Sequence, residues 1–287
     1  MWLWPGHALY VGPSLHLGPH SGAVSCLAVA MQGTFTVVVD GTSGPAAGSA
    51  LIAPRVTHQL VARSELMAFC YLDPGSARHR ACRRAMTVAG DPVAYRHRQE
   101  HALAGAVHAL DDHAEAQAWL DLAADRPPPD RRDPPSALTG GRPRRAGEPL
   151  DPRIAAALAA LHTMDLQHPR SAAQLASLVG LSPSRFLHLF RAGTGTSLRR
   201  YRTWLRMIRA ADELRRGGDL TTAALDAGFA SPSHFSDTVL AMFGLRPHQL
   251  RGTDIRVAGS TAPDPSSSAP GPLPAAHVRS RAPARPG

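Results

Sequence analysis

The sequence contains no lysine, so all 31 of its basic residues are arginines. It also lacks any run of about 18 apolar residues, which is the shortest stretch typical of a helix that crosses a bilayer. Its start, Met1–Pro5, has neither a basic segment nor a continuous apolar stretch, so we expect no secretory signal. From these absences we predict a protein without a membrane partner.

Cysteine is scarce, and Cys26, Cys70 and Cys82 are the only three. An odd number without Cys-x-x-Cys spacing predicts neither a disulfide framework nor a zinc cluster, and it fits a reducing cytoplasm. Cys82 stands among the arginines of residues 80–84, which would lower the pKa of a free thiol. Redox sensing by Cys82 is the lesser alternative, because a single free cysteine usually has no such role.

Aromatic residues make up only 5% of the chain, against 25 glycines and 26 prolines, so part of the sequence is expected not to pack. Acidic residues number 22, which leaves a formal net charge of +9. The segment 151–252 carries 13 arginines and 7 acidic residues, whereas 1–150 is nearly balanced. A basic excess concentrated in one segment is typical of a nucleic-acid-binding domain.

Residues 1–90 are predicted to form a small antiparallel β-structure. Short apolar runs alternate with Gly-, Pro- and Asp-containing turn signals at the spacing of a sandwich or barrel. The candidate strands are Ala8–Val11, Val24–Ala30, Thr34–Asp40, Ser49–Ile52, Thr57–Val61 and Leu66–Leu72.

Beyond this region the composition changes several times. Residues 93–123 have apolar residues at helical spacing, which predicts one or two amphipathic helices suited to pairing protomers. Residues 124–150 are rich in proline and charge and are predicted to be a linker. Residues 151–252 are strongly helical, and 253–287, rich in Ser, Pro, Ala and Gly, are predicted to be a disordered tail.

The helical segment contains the same local pattern twice. Residues 180–195 read GLSPSRFLHLFRAGTG, and residues 228–244 read GFASPSHFSDTVLAMFG. In each copy a short helix is predicted to end at a glycine, and a Ser-Pro pair is predicted to cap and open the next helix. The result is a helix-turn-helix unit, and two copies in one basic segment strengthen that prediction.

The connector between the copies, Ser197–Arg216, contains neither proline nor glycine. It predicts a single helix about 30 Å long. One turn of B-DNA is about 34 Å. A stiff connector of similar length would set two recognition helices into successive major grooves on one face of the duplex.

The second copy carries residues at set spacings that identify a family: Gly228-Phe229, Ser231, Phe235-Ser236, Phe243-Gly244, Pro247 and Arg251. In these residues the segment resembles the AraC/XylS family of bacterial transcription regulators. The resemblance covers about 100 residues and implies two helix-turn-helix motifs joined by a long helix. The chain departs from the family at Asp237, where relatives usually have Arg or Lys, and at Val239, where they usually have Phe.

A weaker resemblance covers residues 1–90, where Gly33-Thr34-Phe35 and residues 51–58 (LIAPRVTH) look like the cupin-type effector domain of that family. We therefore predict an α+β two-domain chain: a cupin-like β-barrel or sandwich with trailing helices, and an all-α double helix-turn-helix domain. His20 and His58 are candidate residues of an effector pocket. Together with His16 they lack the His-x-His and Glu pattern of metal-binding cupins, so we predict no metal and no cofactor.

Given the repeat and the resemblance, DNA contacts are expected on the outer faces of both recognition helices and on the connector. An ordinary solvated helix face is the alternative for each position. Asp237 could accept a hydrogen bond from a cytosine amino group, but near phosphate it would be repelled. The candidate contacts are Ser184, Arg185, Leu187, His188, Arg191, Arg199, Arg202, Ser233, His234, Ser236 and Asp237.

The sequence thus predicts a cytoplasmic, sequence-specific DNA-binding transcription regulator that is not an enzyme. Double-stranded DNA, RNA polymerase, a small-molecule effector and a second copy of the chain are its candidate partners. Two alternatives remain open: a cupin-type enzyme with an attached DNA-binding domain, and a sequence-neutral DNA binder. Bound metal in the purified protein would favour the first, and a specificity ratio near one would favour the second.

Overall fold

The computed structural model describes residues 1–4, 6–13, 17–62, 64, 66–125, 150–164, 169–244 and 256–257. The linker predicted at 124–150 and the tail predicted at 253–287 lie almost wholly outside these residues. In the described part the chain has strands first and helices afterwards, with one short strand near the C-terminus.

The strands are β1 (Trp2–Trp4), β2 (His7–Pro13), β3 (Ser25–Ala30), β4 (Phe35–Val39), β5 (Thr42–Ser43), β6 (Ser49–Ile52), β7 (His58–Ala62), β8 (Leu66–Leu72), β9 (Met86–Val88), β10 (Val93–His97) and β11 (Arg256–Val257). The helices are α1 (Ala77–Ala85), α2 (Glu100–Ala106), α3 (His113–Ala123), α4 (Pro152–His162), α5 (Ala172–Leu178), α6 (Pro183–Thr194), α7 (Leu198–Arg215), α8 (Leu220–Asp226) and α9 (Pro232–Phe243).

Over the described residues the strands form an eight-stranded sheet, ordered β11-β1-β2-β8-β3-β6-β10-β9, and a three-stranded sheet, ordered β5-β4-β7. Neighbouring strands are antiparallel, except for the parallel pair β1 and β11. The end strands of neither sheet pair with each other, so the β-region is an open sandwich and not a closed barrel. The sandwich form of the prediction is the one observed.

Strand β3 shows that the large sheet is covered on both faces, because all six of its residues are buried. Leu27 and Val29 belong to the apolar cluster that contains residues of α1, α2 and α3. Ala28 and Ala30 belong instead to the cluster shared with the three-stranded sheet. The β-region therefore has three layers: helices, large sheet and small sheet.

The helical prediction for 93–123 is wrong over its first five residues. Val93 and Tyr95 lie in β10 and pair with Ile52 and Ala50 of β6, because that strand offers a free edge. Helices α2 and α3 follow, but their apolar faces pack on the large sheet, and Trp119 is fully buried there. Pairing of protomers through these helices stays a prediction.

Two residues of the predicted tail are among those that the structure describes. Arg256 and Val257 form β11 and pair in parallel with Trp2 and Leu3. The prediction of disorder from residue 253 onward is wrong at these two positions, because β1 offers backbone hydrogen bonds to a passing strand.

The helices of the two motifs and the connector begin and end close to the residues that the sequence predicts. The hydroxyls of Ser182 and Ser231 accept hydrogen bonds from N–H groups in the first turns of α6 and α9. Gly180 and Gly228 have φ of +67° and +81°, in the left-handed region that favours glycine. The connector is one continuous helix, α7, with Ser197 as its cap.

One apolar core joins the strand-rich and helical regions. Leu3, Ala8 and Val24 of the β-region cluster with Tyr201 and Trp204 of α7. The predicted α+β two-domain fold is thus confirmed, with the helical region packed directly on the sheet.

Candidate nucleic-acid interface

The first helix-turn-helix motif consists of α5, a turn closed by the Leu181 N–H to Ala176 carbonyl bond (2.9 Å), and α6. Phe186 and Phe190 point inward and are fully buried, which fixes the rotation of α6. The positions expected to contact DNA are all exposed on the other side: Ser184, Arg185, Leu187, His188 and Arg191. Four of the five have i, i+3, i+4 and i+7 spacing and so share one helix face.

The second motif, α8 and α9, repeats this geometry with different chemistry. Phe235 and Val239 are buried, so Val239 occupies the core position where relatives usually have Phe. Ser233 and Asp237 are exposed and Ser236 is half-buried. His234 is exposed, but its ring lies edge-on to Phe229 with centroids 5.6 Å apart.

The arginines of the connector are not equivalent. Arg199 is exposed, whereas Arg202 is half-buried and donates a hydrogen bond to the Arg170 carbonyl. Arg200 donates to the carbonyl and hydroxyl of Ser21 in the β-region. Of these, Arg199 is the cation best placed for phosphate, since Arg200 and Arg202 already have partners within the chain.

Charge divides the two motifs sharply. Residues 169–216, which hold the first motif and the connector, contain ten arginines and two acidic residues. Residues 217–244, which hold the second motif, contain three aspartates and no arginine. Positive charge is therefore concentrated on the first motif and the connector, whereas residues 217–244 carry a net negative charge.

The last turn of α9 is attached to the β-region. The N–H of Ser21 donates to the carbonyl of Ala241 (3.1 Å), and the rings of Tyr71 and Phe243 are 5.3 Å apart. The second recognition helix is thus fixed to the β-region at its C-terminal end, while its outer face stays exposed.

A buried polar cluster links the regions at a second point. The hydroxyl of Tyr201 donates to a carboxylate oxygen of Asp73 (2.6 Å), and Nε2 of His162 lies 3.4 Å from the same oxygen. Burial by itself would raise the pKa of Asp73, but the hydrogen bonds from His162 and Tyr201 outweigh it and the pKa is lowered. Asp73 is therefore a buried anion held by α4 and α7.

The two histidines predicted for the effector pocket lie together. His20 and His58 exchange backbone hydrogen bonds of 3.0 and 2.9 Å, and their ring centroids are 4.4 Å apart. Each Nδ1 lies 2.9 Å from a backbone carbonyl oxygen, which only accepts, so Nδ1 carries the proton and Nε2 is left as an acceptor. Burial lowers the pKa of both rings, that of His58 to about 4.

Both rings line a cavity of about 10 Å³ that also has Met242 of α9 in its wall. Its remaining lining is mostly apolar and carries no arginine, aspartate or glutamate: Gly22, Val24, Cys26, Ile52, Ala53, Leu60, Phe69 and Tyr71. That volume holds about one water molecule. The cavity thus touches both the β-region and the second recognition helix.

The structure argues against redox sensing by Cys82. The thiol is fully buried in α1, and burial raises its pKa to about 12 in spite of the neighbouring arginines. Among the residues that the structure describes, no three His, Cys, Asp or Glu side chains are grouped closely enough to hold a metal ion. His16 lies outside the described residues.

Comparison with known proteins identifies the fold. A family model of a helix-turn-helix domain matches residues 175–253. The chain is similar to a single-substitution variant of apo ToxT from Vibrio cholerae strain SCE256, with a TM-score of 0.54 at 12% identity, over 85% of this chain and 96% of that one. Wild-type ToxT from the same strain, solved with an unsaturated fatty acid bound, gives a TM-score of 0.50 at 12% identity, over 85% and 94% of the two chains.

An AraC-type regulator from Chromobacterium violaceum is also similar, at 29% identity and a TM-score of 0.33, over 35% of this chain and 89% of that one. Residues 175–253 are a helix-turn-helix domain, and the chain shares the two-domain fold of the ToxT structures over 85% of its length. The protein is a DNA-binding transcription regulator. No helix in its described part is long and apolar enough to cross a membrane.

Proposed function

We propose that the protein binds a specific DNA sequence chiefly through α6. The supporting observation is that α6 presents a continuous exposed face within the segment where the arginines outnumber the acidic residues five to one. The base- and phosphate-contacting residues on this helix are Ser184, Arg185, Leu187, His188 and Arg191. On the connector, exposed Arg199 adds the main phosphate contact, and Arg202 adds one only where it exchanges the Arg170 carbonyl for phosphate. A weaker second contact is formed by Ser233, His234, Ser236 and Asp237.

The experiment selects bound duplexes from a random library with the full chain and compares His188→Ala with Arg199→Ala. His188 lies one turn beyond Ser184 on the exposed face of α6. Its loss should weaken the free energy of binding to the selected site by about 1–3 kcal/mol and relax the sequence preference at one or two base pairs. Arg199→Ala should weaken all duplexes alike and reduce the salt slope by about one.

The two variants are matched because both residues are exposed and neither is part of the core. Identical affinity profiles for His188→Ala and Arg199→Ala would contradict base reading by α6. A selected-to-random affinity ratio near one would instead support the sequence-neutral binder.

The cavity between His20, His58 and Met242 is the proposed effector site. The lining includes residues of β3, β6, β7 and β8, whereas Met242 belongs to α9, so a ligand larger than water has to displace the Met242 side chain. Two neutral rings with free Nε2 acceptors, and no cation in the lining, favour an uncharged apolar molecule with a hydrogen-bond donor. Desolvation disfavours a carboxylate at such a site.

This proposal is tested by thermal melting with linear alkanols and the matching alkanoates at pH 7.5. We expect the alkanols to raise the melting temperature and the alkanoates to leave it unchanged. Met242→Ala should enlarge the alkanol shift by widening the cavity, whereas Leu240→Ala, an exposed position on the same helix, should not. No shift with any alkanol, or equal shifts in the two variants, would argue against this site.

We further propose that the protein acts as a regulator and not as an enzyme, and that it acts in the cytoplasm, where its DNA target would lie. RNA polymerase and a second copy of the chain remain candidate partners on the strength of the family resemblance. Measurement of the mass of the purified protein, alone and on the selected duplex, tests the homodimer directly.

A further inference from the structure

Leu187 is a large apolar side chain on the outer face of α6, and it is 43% exposed. The inward side of the helix is already filled by Phe186 and Phe190, so Leu187 adds nothing to the core of the motif. Its neighbours on the face are His188 and Arg191, one residue and one turn further on, and both are exposed. A leucine is thus kept in solvent among polar and basic groups.

The second motif shows that this position does not require a leucine. Aligning α6 with α9 at their first prolines places Leu187 opposite Ser236, and Phe186 opposite Phe235. The inward phenylalanines are buried in both copies, and α9 forms with a serine at the outer position. The folding of the motif therefore does not explain Leu187.

The residues around Leu187 favour DNA as the molecule that covers it. Arg185 and Arg191 flank Leu187, and their positive charges attract phosphate. The edges of the bases in the major groove carry hydrogen-bonding groups and only one apolar group, the 5-methyl of thymine. We propose that Leu187 reads a thymine through contact with this methyl group. The inference rests on the proposed function, in which α6 lies in the major groove.

The test replaces each thymine of the selected duplex, one at a time, by deoxyuridine, which removes only the methyl group. We expect a loss of about fourfold in affinity, equal to about 0.8 kcal/mol for one buried methyl-sized group, at one or two adjacent thymines. Leu187→Ser, which installs the residue found at the matching position of α9, should bind thymine and deoxyuridine duplexes equally. Its melting temperature should stay that of the wild type.

Leu178→Ala is the matched control, since Leu178 on α5 is also an exposed leucine, at 55%, and lies outside the recognition helix. It should keep the full thymine preference. The inference is overturned if no deoxyuridine substitution weakens the wild type, or if the loss persists in Leu187→Ser. Failure to select any sequence would instead overturn the proposed function, so the two failures are distinguishable.

Discussion

At the scale of single residues, Asp237 places an acidic side chain on the outer face of the second recognition helix, where α6 has none. It occupies the position in α9 that His188 occupies in α6, and both side chains are exposed. An anion at this position, in a segment with two further aspartates, opposes the approach of the second motif to phosphate. The departure from the family pattern at Asp237 therefore has an energetic consequence, whereas the one at Val239 is absorbed by the core.

We predict that Asp237→Arg tightens binding to every duplex and steepens its salt dependence, because a repelled anion becomes a cation that releases counterions. Titration of selected and scrambled duplexes at several salt concentrations measures both effects. Asp111→Arg, the same change at an exposed site in the β-region, should leave the salt slope unaltered. A loss of affinity confined to one base pair would show instead that Asp237 accepts a hydrogen bond from cytosine.

At the scale of elements, α7 has two roles. It connects the motifs, and it also attaches them to the β-region, because fully buried Tyr201 donates to Asp73 after β8 and Trp204 packs against Tyr71. A buried carboxylate that loses one of its donors has no water to replace it. The hydroxyl of Tyr201 is therefore expected to matter for stability more than its single bond suggests.

Tyr201→Phe should lower the free energy of unfolding of the full chain by about 1–3 kcal/mol at neutral pH. The pKa of Asp73 is lowered in the folded chain. The ionised carboxylate therefore contributes to stability above the unfolded pKa of about 3.9, and this contribution is lost as the pH falls below that value. The effect of the substitution should accordingly shrink in acid. Urea unfolding at several pH values measures it.

Tyr95→Phe is the control for this prediction, because Tyr95 lies on β10, away from the contact with α7. It should change stability little at any pH. An equal loss in the two variants would mean that removal of any tyrosine hydroxyl has this cost, and that the hydrogen bond to the carboxylate of Asp73 has no special weight.

The elements that sequence predicts well are those with local signals. The glycines at 180 and 228 and the Ser-Pro caps define both motifs within a few residues, and the structure confirms them. Helix α1 was missed because its sequence, ARHRACRRA, has only Cys82 and Ala85 to bury. The link between Asp73 and Tyr201 spans 128 residues and has no signal in either local sequence.

At the scale of the whole molecule, buried His58 and half-buried His7 and His79 make stability depend on pH. His7, His58 and His79 have pKa values lowered to about 4, chiefly by burial. In the unfolded chain each would titrate near the ordinary value of about 6.5. The unfolded state therefore binds more protons between these values, and the folded state loses stability as the pH falls through that range.

We predict that the free energy of unfolding of the full chain is highest above pH 6.5 and falls toward pH 4, by about 3 kcal/mol for each of these histidines. Urea titrations between pH 7.5 and 4.5 measure the slope. His79→Asn should reduce the slope of stability against pH by the equivalent of about one bound proton. The asparagine amide can still donate to the Pro74 carbonyl, which Nδ1 of His79 contacts at 3.0 Å. His108→Asn, at an exposed site, should leave it unchanged. A stability that stays constant down to pH 4.5 would mean that these rings take up protons within the folded sandwich, and that their burial does not keep them neutral.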